Sequence, residues 1–434
     1  MSVWSFDEIL DAIGGRWIVA PASDAAIPMG ACIDTRAIEQ GQIFFAFAGE
    51  QVDGHAYIKD AIAKGASMIV ATDPAKIPSD SKIPIALVDD AIDAITRLAA
   101  LWRSRIAARV VAVTGSNGKT TTCRLIDAVL SELGAGSVSQ KSFNNQLGVP
   151  ITVLGAKPDD VYLVCELGTS SPGEIAARAA LCQPEIAAIV SIGRAHLEEL
   201  GSRAGVLEEK ASIASNVPTV IIPSGIAGLE DAVRAHDPGR VLVVSADDAI
   251  ASPLLGEHNR SNASIACAVG RALGMSDDAI ARGLERVVAA PMRFERVEIA
   301  TQSEPIVVIN DAYNANPDSM RASIAVFRSL DSAGRRIAVL GDMGELGASA
   351  DEEHAALVIE LDAMDELDLR VYLGDAFARC AQRGDGREVV AGKDDAAIER
   401  IVSMICPGDS VLLKGSRSMR VERVLSALRS RLGE

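Results

Sequence analysis

The sequence predicts an α/β protein of three domains: a small N-terminal α/β domain, a central P-loop mononucleotide-binding domain with a parallel sheet, and a C-terminal Rossmann-like domain. Three observations predict it. The chain has 434 residues, too long for one hydrophobic core. Short apolar strands alternate with helical segments from end to end, which implies parallel sheets covered by helices. One strand, Val110–Thr114, runs through a glycine turn into a helix start, reading V-V-A-V-T-G-S-N-G-K-T-T-T over 110–122.

Residues 1–105 hold the first unit. Strands are expected at 43–48, 67–71 and 85–88, a short helix at 54–64, and an amphipathic helix at 91–106. Polar turns at Asp34-Thr35-Arg36 and Asp53-Gly54-His55 flank the first of these strands, where plain turn chemistry explains them as well as a ligand does. The central domain, 106–290, continues with strands at 161–166, 186–192, 219–222 and 240–244. Its helices are expected at 119–133, 174–181, 206–214 and 261–273. A break at Ala289-Ala290-Pro291 opens the third unit, 291–434, with strands at 306–309, 336–340, 371–373 and 410–413.

The loop from Thr114 to Thr121 makes an anion cradle. Amides of a helix's first turn lack intrahelical acceptors, and the helix dipole adds positive charge there. Gly115 and Gly118 let backbone approach a phosphate, with Ser116 and Asn117 between them. Lys119 can reach a β- or γ-phosphate, and Thr120 or Thr121 can ligate Mg²⁺. The strict Walker pattern is not met, since Val113 stands where its first glycine would be.

Polar residues recur where strands end, at Glu166, His196, Asp311, Asp342 and Lys414. Ligands in open α/β sheets sit beyond the carboxyl ends of strands, so these five point to sites on a shared cleft. Glu166 suits a Mg²⁺ on a nucleotide phosphate. By residue type alone, His196 fits a structural histidine, and Lys210, beside Glu208 and Glu209, fits a solvated helix lysine. Arg293, just past Pro291, could reach a phosphate or pair with an acid.

The net charge of −17 argues against a nucleic-acid or anionic-membrane surface. Seven scattered cysteines with no C-x-x-C fit reduced, buried thiols. No stretch approaches the ~18–20 apolar residues of a membrane span, and the first residues lack a signal-peptide pattern. A soluble, cytoplasmic monomer is expected.

Taken together, the strings resemble the Mur ligases, ATP-dependent enzymes that form amide bonds in peptidoglycan precursors. The resemblance runs from about Ile33 to Leu425. It rests on Thr114–Thr121, on Asn144-Asn145 within 143–150, and on Glu166-Leu167-Gly168 with Gly173-Glu174-Ile175. It rests further on Ala195-His196-Leu197-Glu198, on Gly256-Glu257-His258-Asn259 with Asn262, on Asp311–Met320, on Leu340–Gly347 and on Lys414–Met419. The 311–320 string is most similar to members that add D-alanyl-D-alanine to UDP-N-acetylmuramoyl-tripeptide.

The resemblance implies ATP and Mg²⁺ as cofactors, with Lys119, Glu166, His196 and Lys210 catalytic. Lys210 aligns with a lysine that is carbamylated in the family, and His196 with a metal-contacting histidine, so the metal set becomes Thr120, Thr121, Glu166, His196 and Lys210. Asn262, Arg293, Asp311 and Asn314 would complete the nucleotide site. Asp34, Thr35, Arg36, Asp53, Gly54 and His55 fall where the family holds the UDP end of its substrate. Asn144, Asn145, Lys414, Ser416 and Arg417 are the remaining substrate contacts implied. The third unit would close over ligands, from an open form without them. A related ligase with another acceptor, or a nucleotide-binding module without catalysis, remain the alternatives. The chain departs from the family pattern at Thr169-Ser170-Ser171, at Met292 where glycine is common, and at Glu199-Leu200.

Overall fold

The computed structural model describes residues 4–49, 52–140, 142–194, 197–248, 251, 253–384 and 386–433. Its strands form three sheets of five, six and six strands. In the first, Arg16–Val19, Ile85–Leu87, Met68–Ala71, Ile43–Ala46 and Ala31–Cys32 lie in that order, with Arg16–Val19 antiparallel to its neighbour. The central sheet is parallel throughout, in the order Arg240–Val244, Thr219–Pro223, Ile186–Ile189, Arg109–Thr114, Tyr162–Glu166, Gly136–Val138. In the third, Glu295–Ile299 pairs antiparallel with Ile306–Asn310; Ser410–Lys414, Arg336–Gly341, Leu369–Leu373 and Arg387–Val390 follow in parallel.

Both larger sheets put strand ends where the sequence placed its polar residues. Arg109–Thr114 is flanked by Tyr162–Glu166 on one side and Ile186–Ile189 on the other. The chain reaches those neighbours in opposite directions, so a crevice opens at their carboxyl ends. The register of the third sheet sets Asn310 beside Leu413, which brings Asp311 and Lys414, the next residue along each chain, together at the carboxyl ends of two interior strands.

Several elements differ from the sequence expectation. The strand expected at 186–192 leaves the ladder after Ile189, because Ser191 turns to the phosphate loop instead. The helix expected at 206–214 begins at Arg203, capped by Ser202 accepting from the Gly205 amide, and ends in a 3₁₀ turn at Ser212–Ala214. The helix expected at 54–64 is a 3₁₀ turn, Gly54–Tyr57, followed by Ile58–Ala63. The helix expected at 261–273 starts earlier, at Glu257. The opening helix Phe6–Ile13 and strand Arg16–Val19 were not foreseen. A capping box of Ser5 and Glu8 starts that helix, and Gly14 in the left-handed region ends it.

The first unit and the central domain share one core. Helix Ala91–Arg103 packs on helix Gly148–Gly155. Trp102, fully buried, donates from its indole nitrogen to the Ala156 carbonyl at 2.9 Å. Its ring lies 4.6 Å from that of Trp4. A continuous set of buried side chains runs from Trp4 and Ile9 through Ile95 and Trp102 to Val153, Leu163 and Val220. The third unit has its own cores on the two faces of its sheet. Of the seven cysteines, five are buried, and all are free thiols.

Trp102→Ala is expected to cost about 3–5 kcal/mol of unfolding free energy. Urea denaturation should show central-domain and first-unit signals falling together. An early transition confined to the first unit would contradict a shared core.

Candidate active site

The phosphate loop is held before any ligand arrives. The Ser116 amide donates to the Ser191 carbonyl at 2.9 Å, and the Asn117 amide to the Ser191 hydroxyl at 2.8 Å. The Gly193 amide donates to the Ser116 hydroxyl at 2.8 Å. Those loop amides are therefore occupied, and the cradle reduces to the first turn of helix Lys119–Leu130, where Thr122 is the first amide to reach back, to Gly118. Gly118 has φ 81°, and a side chain there would stand 2.7 Å from the Asn262 oxygen. Asn262 is itself buried and donates to Asn259 at 3.0 Å.

Lys119 turns back on the loop, whereas Thr114 turns to the end of the neighbouring strand. Lys119 donates to the Gly115 carbonyl at 2.7 Å. Burial pushes its ammonium below the ordinary lysine range, Glu166 opposes that shift and Arg293 adds to it. Thr114 is fully buried, its hydroxyl donating to the Leu167 carbonyl at 2.9 Å behind the cavity.

Glu166 ends its strand almost wholly buried and accepts from two side chains. Thr120 donates to one carboxylate oxygen at 2.6 Å, and Asn144 to the other at 2.7 Å. Asn145 instead caps the next helix, accepting from the Leu147 and Gly148 amides.

The third unit supplies the opposite wall. A guanidinium nitrogen of Arg293 donates to the Thr120 hydroxyl at 2.8 Å and to the Ser142 hydroxyl at 3.3 Å. The guanidinium lies 4.1 Å over the Tyr313 ring. Met292 and Phe294, on either side, have φ 57° and 56°. Left-handed backbone at two non-glycine residues holds about 1–3 kcal/mol of strain each, so the hinge is over-determined by its bonds. Among them the Phe294 amide donates to Asp311 at 3.1 Å, and the Tyr313 amide to the Met292 carbonyl at 3.2 Å.

Asp311 also accepts from the buried Lys414 ammonium at 2.7 Å and from the Ser323 hydroxyl. Asn314 bonds the Ala315 amide, Ser416 pairs with Ser418 at 3.2 Å, and Arg417 pairs with Glu422 at 2.9 Å. Asn117 and Asn316 face each other across the gap with reciprocal amide bonds of 3.3 and 2.8 Å. Arg194 adds two more links, its amide to Asp318 at 2.8 Å and its guanidinium to Glu353 at 2.6 Å. The central domain and the third unit are thus in contact. Between them lies a cavity of about 550 Å³ lined by Lys119, Thr120, Glu166, Asn262, Arg293 and Asp311 among others.

Lys210 departs most from its residue-type reading. It is fully buried rather than solvated, and its ammonium nitrogen has no hydrogen-bond partner among the described residues. Burial, followed by the field of Lys119, pushes it down to about 7, against a smaller opposing pull from Glu209. Glu208 faces solvent, whereas Glu209 is itself buried. His196 and Ala195 lie outside the described residues. Among the described residues, no group of three or more His, Cys, Asp and Glu could hold a metal ion.

The first-unit residues do not line this cavity. Asp34 and Arg36 pair at 2.7 Å, with the Arg36 side chain 87% exposed. The Thr35 carbonyl accepts from Lys64 at 3.0 Å. His55, buried, accepts at Nε2 from the Thr72 and Asp73 amides at 3.1 Å each, so its ring proton sits on Nδ1 and goes to Asp53 at 2.7 Å. Lys76 and His55 together hold the Asp53 carboxyl well below the usual carboxylate range. Sequence reasoning passed over Ser191, Asn316, Tyr313 and Glu209. Ser191, Tyr313 and Asn316 carried a signal, since the first falls just past a strand and the other two sit inside the 311–320 string.

With that geometry in view, three family profiles match the chain: the Mur ligase family catalytic domain over residues 30–103, the Mur ligase middle domain over 113–235, and the Mur ligase glutamate ligase domain over 292–417. UDP-N-acetylmuramoyl-tripeptide–D-alanyl-D-alanine ligase of Bacillus subtilis is 31% identical, covering 94% of each chain. The chain belongs to the Mur ligase family. The Escherichia coli enzyme of the same name is 32% identical over 91% of this chain and 92% of its own. Among solved structures of the family, MurF from Acinetobacter baumannii superposes with a TM-score of 0.83 at 30% identity, covering 98% of this chain and 99% of that one. MurF ligase from Thermotoga maritima, solved in complex with ADP, gives 0.75 at 25% identity, covering 95% and 99%. No described helix is long and apolar enough to cross a membrane.

Lys210→Met is expected to raise stability in CO₂-free buffer. The unfolded lysine keeps its ordinary value near 10.5 and the folded one titrates near 7, so burying the charge costs most at and below pH 7, and the cost fades as pH rises toward 10. Urea midpoints at pH 6 to 9 should show the mutant's advantage shrinking with pH. An advantage that is constant or grows would reject the account.

Proposed function

We propose that this chain is an ATP-dependent ligase that joins D-alanyl-D-alanine to UDP-N-acetylmuramoyl-tripeptide in the cytoplasm. The observation that carries the reading is the convergence of Thr120, Glu166 and Arg293 from two domains on one cavity at the phosphate-loop helix. Relatives named for this reaction match along more than nine-tenths of the chain, which supports the choice of acceptor. Working limits for the units are 1–105 for the UDP-substrate end, 106–290 for ATP, and 291–434 for the closing domain.

In this reading the tripeptide carboxylate attacks the γ-phosphorus of ATP, forming a P–O bond as ADP leaves. The amine of D-alanyl-D-alanine then attacks the acyl carbon, and phosphate departs from the tetrahedral intermediate with the carbonyl re-forming. The tripeptide carboxylate and the triphosphate are both anionic at the atoms that react, so the protein must mainly neutralise and position. Lys119 and the first-turn amides of its helix hold the phosphates. Arg293, already braced on Tyr313, meets them from the opposite wall. Asn262 and Asn314 stand beside the loop and the far wall for the nucleotide. Contact between the domains keeps water from the acyl phosphate.

The described residues fit a divalent cation: Thr120, Thr121 and Glu166 offer oxygen at one end of the cavity, and the family resemblance would add His196. Lys210 is an orphaned buried amine near pH-neutral titration, which gaining CO₂ would turn into an oxygen ligand. Mg²⁺ held there would neutralise triphosphate charge when bound.

Purified protein given ATP, UDP-N-acetylmuramoyl-tripeptide and D-alanyl-D-alanine should release phosphate and yield the pentapeptide product by mass spectrometry. Lys119→Ala should lower the rate by about 10²–10³. Product formed with a single amino acid but not with the dipeptide would make this a ligase of another acceptor. Phosphate release at background with every acceptor would remove the catalytic reading.

A further inference from the structure

Glu209 is a carboxylate with 6% of its surface exposed, and such a group survives in a protein interior only with strong partners. Among the described residues it has three hydrogen-bond donors, and none is a cation. The Gly173 amide donates to it at 2.6 Å, the Ile175 amide at 2.9 Å and the Thr169 hydroxyl at 3.1 Å. All come from one segment, the loop that leaves Glu166 and enters helix Glu174–Cys182. Gly173, at φ 87°, has no side chain to cap that helix, and Glu209 caps it from a different helix, Arg203–Ala211. The next residue on that helix is Lys210.

We propose that Glu209 is a positioning residue that fixes the distance between Glu166 and Lys210, with Thr169 as the side-chain arm of the clamp. The proposal rests on the ligase reading above, in which those two residues share a metal site. Helix position sets the division of labour. Consecutive residues on a helix point about 100° apart, so Glu209 can hold the loop while Lys210, fully buried, points elsewhere within the field of Lys119. The loop's backbone is gripped at 173 and 175, and its side chain at 169, three residues beyond Glu166. Arg178 completes the brace by donating to the Gly168 carbonyl and pairing with Glu174 at 2.9 Å.

The arm has several acceptors around it. The Thr169 hydroxyl has the Ser171 carbonyl at 2.9 Å, Glu209 at 3.1 Å and Glu174 at 3.3 Å around it. One proton shared among three acceptors, two of them carboxylates, tethers both glutamates to the segment 169–171. A methyl in place of that hydroxyl would leave the two carboxylates facing each other without a donor between them.

The test separates positioning from simple helix capping. Calorimetry of a non-hydrolysable ATP analogue, with and without Mg²⁺, is run on the full chain alongside thermal unfolding. Glu209→Gln is expected to bind the analogue alone as the wild type does, while the Mg²⁺ enhancement of binding falls about tenfold or more, the size seen when an outer partner of a metal ligand is lost. Thr169→Val should move the enhancement the same way by less, and Thr169→Ser should restore it. An unmoved Mg²⁺ enhancement in E209Q, with only the unfolding temperature lowered, overturns the proposal. Should E209Q not fold, equal Mg²⁺ enhancement in T169V and T169S overturns it instead. A wild type that binds the analogue with no Mg²⁺ effect would overturn the ligase reading as well, whereas a normal wild type beside an unmoved E209Q overturns the clamp alone.

Discussion

Asp311 is the group on which the far wall of the site depends. Its carboxylate takes donors from three places: the Phe294 amide in the hinge, the Lys414 ammonium on the adjacent strand and the Ser323 hydroxyl on the following helix. A buried ion pair contributes little net stability, but its loss leaves an uncompensated charge. The pair is therefore best understood as a device for location. It fastens a strained hinge to the carboxyl ends of two interior strands, and Arg293 emerges from that hinge already bonded to Thr120.

The near wall is organised by the same means. Ser191, at the end of one strand, occupies amides of the phosphate loop that begins at the end of the next. Glu166, on the strand beyond, is fixed by Thr120 and Asn144. Neighbouring parallel strands deliver these groups at nearly one height, so the geometry follows from strand register and asks little of the loops. Burial then sets the chemistry. The same exclusion of water that holds Glu166 between two donors drives the Lys210 amine toward neutrality.

Much of this was legible in the sequence. Apolar runs of four to six residues ending in a polar side chain marked Glu166, Asp311 and Lys414, and the glycine turn after Val110–Thr114 marked the helix that faces the cavity. What could not be read was partnership between residues distant in the chain. Lys210 and Glu209 sit in a charged string that looks solvated, and only the packing of their helix against the 169–175 loop buries them. Asp53 and His55 read as a turn or a ligand site, and their side chains bond within their own unit. The helix and strand before residue 20 were missed because each is short, with a periodicity too brief to stand out. The boundary near residue 105 is visible in the sequence as a change of unit, yet the packing runs straight across it through Trp102.

That continuity across Trp102 limits how the molecule can move. Three sheets suggest three bodies and two joints. With the first two fused by a common interior, a single joint is left, at the strained residues around Arg293. Any closing of the third unit would then turn on one pivot, and whatever rests against the first sheet would keep a constant bearing on the phosphate loop while the wall that carries Asp311 travelled.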